Sequence, residues 1–155
     1  MQIANRTHGP HLTQQDPNIV RGHVQRIGTG RFNTGTATDA LRRLKPETQE
    51  LIRDLDLTHA TPRQLNSITA RLFWEGAIDI EGEDTLAAMG YDRGIDTPFD
   101  VMERLNGHLS YVRNSTSGID WTDTIRIYEK GMELATGLRD MIRALHPERS
   151  IDTYA

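Results

Sequence analysis

Four carboxylates stand close together in the middle of the chain, at Asp79, Glu81, Glu83 and Asp84. Clustered carboxylates serve general acid–base catalysis and cation binding, so a small metal-dependent hydrolase using residues 79–84 is one candidate function. The same residues lie where a helix would begin, and the partial positive charge of a helix N-terminus stabilises anions there. Because no histidine stands nearby to complete a metal set, we favour the capping role. We therefore expect no catalytic, cofactor-binding or metal-binding residue.

Two other motifs resemble ligand-binding loops but lack the residue that does the chemistry. The glycines of residues 30–36 have the spacing of a phosphate-binding loop, yet Thr36 stands where that loop needs its lysine. Gly76 and Ile78 resemble the middle of a calcium-binding loop, but Gly82 occupies the position of the bidentate glutamate. Neither nucleotide nor calcium binding is expected.

A DNA-reading helix–turn–helix is an alternative for residues 61–90, because two helices joined by a short connector are predicted there. A recognition helix must approach a dense array of phosphate charges. The second helix of this pair carries the four carboxylates and no lysine or arginine before Arg93. Electrostatic repulsion therefore argues against a nucleic-acid partner.

Charge is divided unevenly along the 155 residues. Residues 1–45 carry seven basic and two acidic side chains, whereas residues 46–155 carry eleven basic and twenty acidic ones. A basic arm beside an acidic body can fold back on it, reach an acidic partner or pair with another copy. A solvated tail with scattered arginines is the alternative. The candidate electrostatic contacts of the arm are Arg21, Arg26 and Arg31.

Composition divides the chain into three parts. Residues 1–36 are polar and are expected to form a disordered arm, residues 37–147 a helical domain, and residues 148–155 a C-terminal tail. No run of apolar residues is long enough to span a membrane, and the N-terminal sequence lacks a signal-peptide pattern. We therefore expect a cytoplasmic protein without membrane insertion. The absence of cysteine excludes disulfides and thiolate zinc sites.

Helical periodicity predicts an all-α bundle of about five helices. They lie near residues 38–44, 46–56, 62–75, 80–89, 98–113 and 121–145, and the first two merge if Pro46 does not separate them. The apolar positions of these helices predict a core of Leu51, Leu65, Ile68, Leu72, Ile78, Leu86, Met102, Leu105, Leu109, Ile125, Tyr128 and Met132.

The central hairpin, residues 61–90, has the clearest helix signals. Thr61 can cap the first helix, Pro62 suits its first position, and Gln64 completes a capping box. Gly76 supplies the left-handed residue that ends this helix. A further helix is expected to start at residues 97–98, where threonine is again followed by proline.

This hairpin resembles a segment of small uncharacterised helical proteins associated with bacterial flagellar gene clusters. The resemblance covers about thirty residues and rests on Thr61-Pro62, the leucine spacing, and Glu75-Gly76-Ala77-Ile78-Asp79. Gln64 stands where that pattern prefers glutamate, and Asp79 where it prefers serine. The resemblance implies a non-catalytic accessory or adaptor role in a bacterium.

The last predicted helix is longer than a compact domain of this size needs. Its end carries an apolar stripe that is either part of the core or a contact surface for a protein partner or a second copy. The candidate interaction surface is Leu138, Met141, Ile142 and Leu145. The leading functional hypothesis is therefore a protein-interaction module, an adaptor or small regulator without catalysis.

Overall fold

A computed structural model describes residues 32–33 and 35–150, with side chains through residue 148. Within these residues it contains no β-strand, and the predicted all-α class is confirmed. Its helices are α1 (Ala37–Leu41), α2 (Pro46–Arg53), α3 (Pro62–Trp74), α4 (Ile80–Ala87), α5 (Val101–Arg113) and α6 (Thr122–Leu145). Single 3₁₀ turns, Ala88–Gly90 and Pro147–Ser150, follow α4 and α6. No helix in the described ranges is long and apolar enough to cross a membrane.

The hairpin of α3 and α4 forms as the sequence predicts. The Thr61 hydroxyl accepts a hydrogen bond from the Gln64 backbone N–H at 3.2 Å, and the Gln64 side chain accepts one from the Thr61 N–H at 3.0 Å. Gly76 has φ +76°, and Asp79 caps α4 by accepting from the Gly82 N–H at 2.7 Å. Local capping chemistry therefore determines both ends of the connector.

One predicted helix start is wrong and one is confirmed, and tertiary hydrogen bonds decide both. The predicted start at residues 97–98 is replaced by a β-bridge, in which Phe99 and Ala60 exchange both backbone hydrogen bonds. Asp100 then caps α5 instead. Helices α1 and α2 stay separate because Lys45 is extended and donates its N–H to the Glu75 carboxylate at 2.8 Å.

Most of the predicted core is confirmed. Seven predicted residues are buried: Leu65, Ile68, Leu72, Ile78, Leu86, Leu105 and Leu109. Met102, Tyr128 and Met132 are partly buried against that core, and Ile125 is of intermediate exposure. Leu51 is a wrong prediction, because its neighbour Ile52 takes the fully buried position on α2.

The predicted interaction surface on α6 is wrong for Leu138 and Met141. Both side chains are completely buried, because α6 contacts α1, α2, α4 and α5 and so spans the whole domain. Ile142 and Leu145 are half-buried and pack against the same core. The length of α6 is therefore explained by its packing against the other helices of the same chain.

Glycines allow the close packing on α6. A side chain at Gly131 would collide with Leu105 of α5 and Thr85 of α4, and one at Gly137 would overlap the Phe32 ring.

The Phe32 ring is only 7% exposed, and the adjacent Asn33 N–H donates to the Ala77 carbonyl at 2.9 Å. The boundary of the predicted arm at residue 36 is therefore wrong, because Phe32 belongs to the core. Residues 1–31, including Arg21, Arg26 and Arg31, lie outside the described residues.

We predict that Gly137→Ala destabilises the protein by about 1–3 kcal/mol, because the added methyl group would overpack the Phe32 site. Gly107→Ala is the matched control, since Gly107 lies inside α5 with open space where a methyl group would project. Relief of the intrinsic glycine penalty should stabilise that variant by up to about 1 kcal/mol. Urea unfolding midpoints measure both changes, and equal shifts in the same direction would contradict the Phe32 contact.

Candidate functional site

The carboxylates singled out in the sequence surround a buried lysine. The Lys130 ammonium of α6 donates to Asp79 at 3.1 Å and to Glu81 at 2.9 Å. The side chains of Lys130 and Asp79 are 6% and 4% exposed. Asp79 Oδ1 meanwhile accepts the Gly82 N–H. Asp79 therefore caps α4 and fixes it to α6 at the same time.

Glu81 is held in its charged form by the same contacts. The hydrogen bond from Lys130 lowers the pKa of Glu81, aided by the charges of Lys130 and Arg126 against the opposing effect of burial. Arg126 lies 2.9 Å from the second Glu81 oxygen. A divalent cation at Asp79 and Glu81 would have to displace the lysine, so these contacts favour a structural role over a hydrolase.

Lys130 is absent from the residues predicted from the sequence, although the sequence contains a signal for it. It is the one lysine between residues 46 and 155, and it precedes the buried residues Leu134 and Met141 by four and eleven positions along α6. That spacing places a charge on the apolar face of the helix. A charged residue there needs a buried partner, and Asp79 provides it.

Beside this cluster, α4, α5 and α6 enclose an open groove of about 660 Å³. Its volume falls in the range of ligand-binding clefts. Two large side chains at the groove are accessible to solvent, Tyr91 at 93% and Ile127 at 36%. The groove is lined by Glu81, Asp84, Thr85, Ala88, Met89, Tyr91, Asp92, Arg104, His108, Thr124, Ile127 and Tyr128.

Aromatic and ionic contacts shape the groove. The Tyr128 and His108 rings stack with centroids 5.2 Å apart, and the Tyr128 hydroxyl lies 3.3 Å from His108 Nδ1. Arg104 is ion-paired with Asp92 and lies 5.8 Å from the centroid of the Phe99 ring. Arg104 and His108 also line a second cavity of about 760 Å³. The groove thus has aromatic and apolar surfaces on a rigid helical frame.

Some polar groups in the groove are engaged by their neighbours, but the buried Nε of Arg104 has no hydrogen-bond partner among the described residues. The Thr85 hydroxyl donates to the Glu81 carbonyl at 2.7 Å, and His108 faces Tyr128. Among the described residues, no group of three or more potential metal ligands lies together. What remains accessible is mainly apolar surface bordered by carboxylates. This arrangement suits the binding of a partner better than a reaction.

We predict that Lys130→Met lowers stability by about 3–5 kcal/mol, because it leaves Asp79 buried without its counter-ion. Lys45→Met is the matched control: Lys45 is the other lysine of the chain and is exposed, so the change should stay within about 0.5 kcal/mol. Adding Asp79→Asn to Lys130→Met should restore part of the loss, because asparagine still caps the helix without a charge. Chemical denaturation measures all three variants, and an unchanged midpoint for Lys130→Met would contradict the buried pair.

We also predict a loss of stability in acid that depends on Glu81. The pKa of Glu81 is lowered in the folded state. The contribution of ionised Glu81 to the free energy of unfolding is therefore complete above the ordinary glutamate pKa of about 4.3. It is lost as the pH falls through the lowered pKa. Glu81→Gln should therefore flatten the dependence of the melting temperature on pH below that point. The exposed Glu50→Gln is the control, and a similar flattening in both variants would count against the Lys130 contact.

No protein-family model matches the sequence, and comparisons with curated proteins and with solved structures give no match either.

Proposed function

We propose that this chain is a non-catalytic protein-interaction module and that the groove between α4, α5 and α6 holds a segment of its partner. The observation that carries the proposal is the exposure of Tyr91 and Ile127 at a groove whose accessible surface is mainly apolar. Tyrosine is among the residues that supply most of the binding energy at protein interfaces, and the apolar Ile127 enlarges the surface that a partner can cover. The proposed role is that of an adaptor or small regulator.

The charge at the groove indicates what the partner segment carries. Three carboxylates, Glu81, Asp84 and Asp92, line it against one guanidinium, that of Arg104. Glu81 and Asp92 have basic partners within the fold, whereas Asp84 is exposed and has no ion-pair partner among the described residues. A segment with aliphatic side chains flanked by arginine or lysine complements this surface.

The resemblance of residues 61–90 to helical proteins of flagellar gene clusters stays a prediction. If it holds, the partner that the groove captures in the source bacterium is a flagellar protein. That partner should be lost from a pull-down when Ile127 is replaced by aspartate. Retention of the same flagellar protein by that variant would separate the groove from any flagellar role.

We predict that short peptides selected from a random display library by the full-length protein will be rich in aliphatic and basic residues. Ile127→Asp should weaken the binding of these peptides at least about tenfold, because a charge on the apolar wall must be desolvated when the peptide docks. The matched control is Ile119→Asp, which changes an isoleucine that is 59% exposed and does not line the groove.

Circular dichroism of both variants checks that the helices remain folded. Two outcomes would contradict the groove as the binding surface: an equal loss of peptide binding in Ile127→Asp and Ile119→Asp, or no loss in either variant. Selection of acidic peptides would contradict the charge argument and leave the location of the site intact.

A further inference from the structure

We propose that the second cavity, which lies along α5, binds a small zwitterion with an apolar side chain, such as a free α-amino acid. This goes beyond the proposed function, because it concerns a small-molecule ligand in a cavity that shares Arg104 and His108 with the groove and has its other walls elsewhere. The cavity is lined by Arg93, Phe99, Asp100, Glu103, Arg104, Gly107, His108 and Tyr111.

Two guanidinium groups in this cavity lie against the same aromatic ring. The guanidinium carbons of Arg93 and Arg104 are 5.6 Å and 5.8 Å from the centroid of the Phe99 ring. Arg93 is exposed and forms no ion pair with any described residue. Guanidinium groups bind carboxylates through charge-assisted hydrogen bonds, so this part of the cavity favours the carboxylate of a ligand.

Arg104 is bound less completely than another arginine of the same chain. Arg63 donates to Asp96 from both Nε and Nη2, at 2.7 Å and 3.1 Å. Arg104 donates to Asp92 from Nη2, whereas its buried Nε has no acceptor among the described residues. Because the Asp92 side chain is 67% exposed, a ligand carboxylate can take its place, and a turn of the guanidinium then brings Nε to the second carboxylate oxygen.

The same cavity contains carboxylates that suit a positively charged group. Asp100 caps α5, so its Oδ1 already accepts the Glu103 backbone N–H at 2.8 Å. The Glu103 side chain is exposed and forms no ion pair within the part of the chain that the structure describes. Glu103 and Arg104 are neighbours on α5 and project about 100° apart, so they approach the cavity from adjacent sides. A simple anion would be repelled by Glu103, whereas a zwitterion satisfies both charges.

The middle of α5 leaves room for the rest of the ligand. A methyl group at Gly107 would have no neighbour within 4 Å, so packing does not explain a glycine inside this helix. Glycine is suited to places where a ligand approaches the backbone closely. The Tyr111 ring beside it is 69% exposed and offers a flat surface to an apolar side chain. The volume of about 760 Å³ lies in the range of small-molecule sites.

The first test compares three matched probes by NMR titration of the ¹⁵N-labelled full-length protein. L-Phenylalanine carries both charges, 3-phenylpropionate lacks the ammonium group, and 2-phenylethylamine lacks the carboxylate. We expect phenylalanine to shift the amide signals of Gly107 and Tyr111 and to bind at least about fivefold more tightly than either analogue. Absence of these shifts, or equally tight binding of one of the analogues, would overturn the proposal.

The second test removes each charge in turn. Arg93→Gln and Glu103→Gln should each weaken phenylalanine binding at least about fivefold, because each variant leaves one charge of the zwitterion without a counter-charge. Arg71→Gln and Glu50→Gln are the matched controls, since both residues are exposed and neither lines the cavity. Urea unfolding of the four variants checks that stability is retained. Unchanged binding in Arg93→Gln and Glu103→Gln would overturn the proposal.

The third test fills the cavity without weakening the helix. Gly107→Leu should reduce phenylalanine binding at least about tenfold and should not lower the urea midpoint, because leucine favours the helix more than glycine does. Full binding by this variant would overturn the proposed location. Arg104 and His108 stay unchanged in all these variants because they also line the groove. Failure of the zwitterion site therefore leaves the display selection of groove peptides as an independent test of the proposed function.

Discussion

The buried contact of Lys130 with Asp79 and Glu81 is the constraint on which the arrangement of the helices depends. An ammonium ion taken out of water needs close anionic partners, and the available ones lie at the first turn of α4. The pair joins the N-terminus of α4 to α6. The groove follows from this geometry, because α4 and α6 form two of its sides and α5 supplies the third.

Local chemistry made the hairpin predictable from the sequence. The capping box at Thr61, the left-handed Gly76 and the cap at Asp79 each act within a few residues, so their pattern survives in the sequence alone. The start of α5 was not predictable in this way. Its position depends on the pairing of Phe99 with Ala60, which are 39 positions apart and have no local signal that links them.

In the candidate site, too, features with a local sequence signal were predictable, and contacts between residues far apart in the sequence were not. The carboxylates were visible in the sequence, but their meaning depended on Lys130, which lies 51 residues from Asp79. The buried face of α6 was misplaced for a related reason. Gly131 and Gly137 lie in close contact with other elements and Ala135 is fully buried, yet none of them is a large hydrophobic residue, so apolar periodicity does not single them out. The groove itself arises from three helices that are far apart in sequence and could not be predicted.

The position of α6 at the end of the domain also bears on the order in which the chain folds during synthesis. Phe32, the first described residue, packs at Gly137, so this contact cannot form until the last helix has left the ribosome. The α3–α4 hairpin can form early from its own caps, but its counter-ion arrives with residue 130. Apolar surface on the earlier helices must therefore stay exposed until α6 has been synthesised. The packing of this domain accordingly waits for α6.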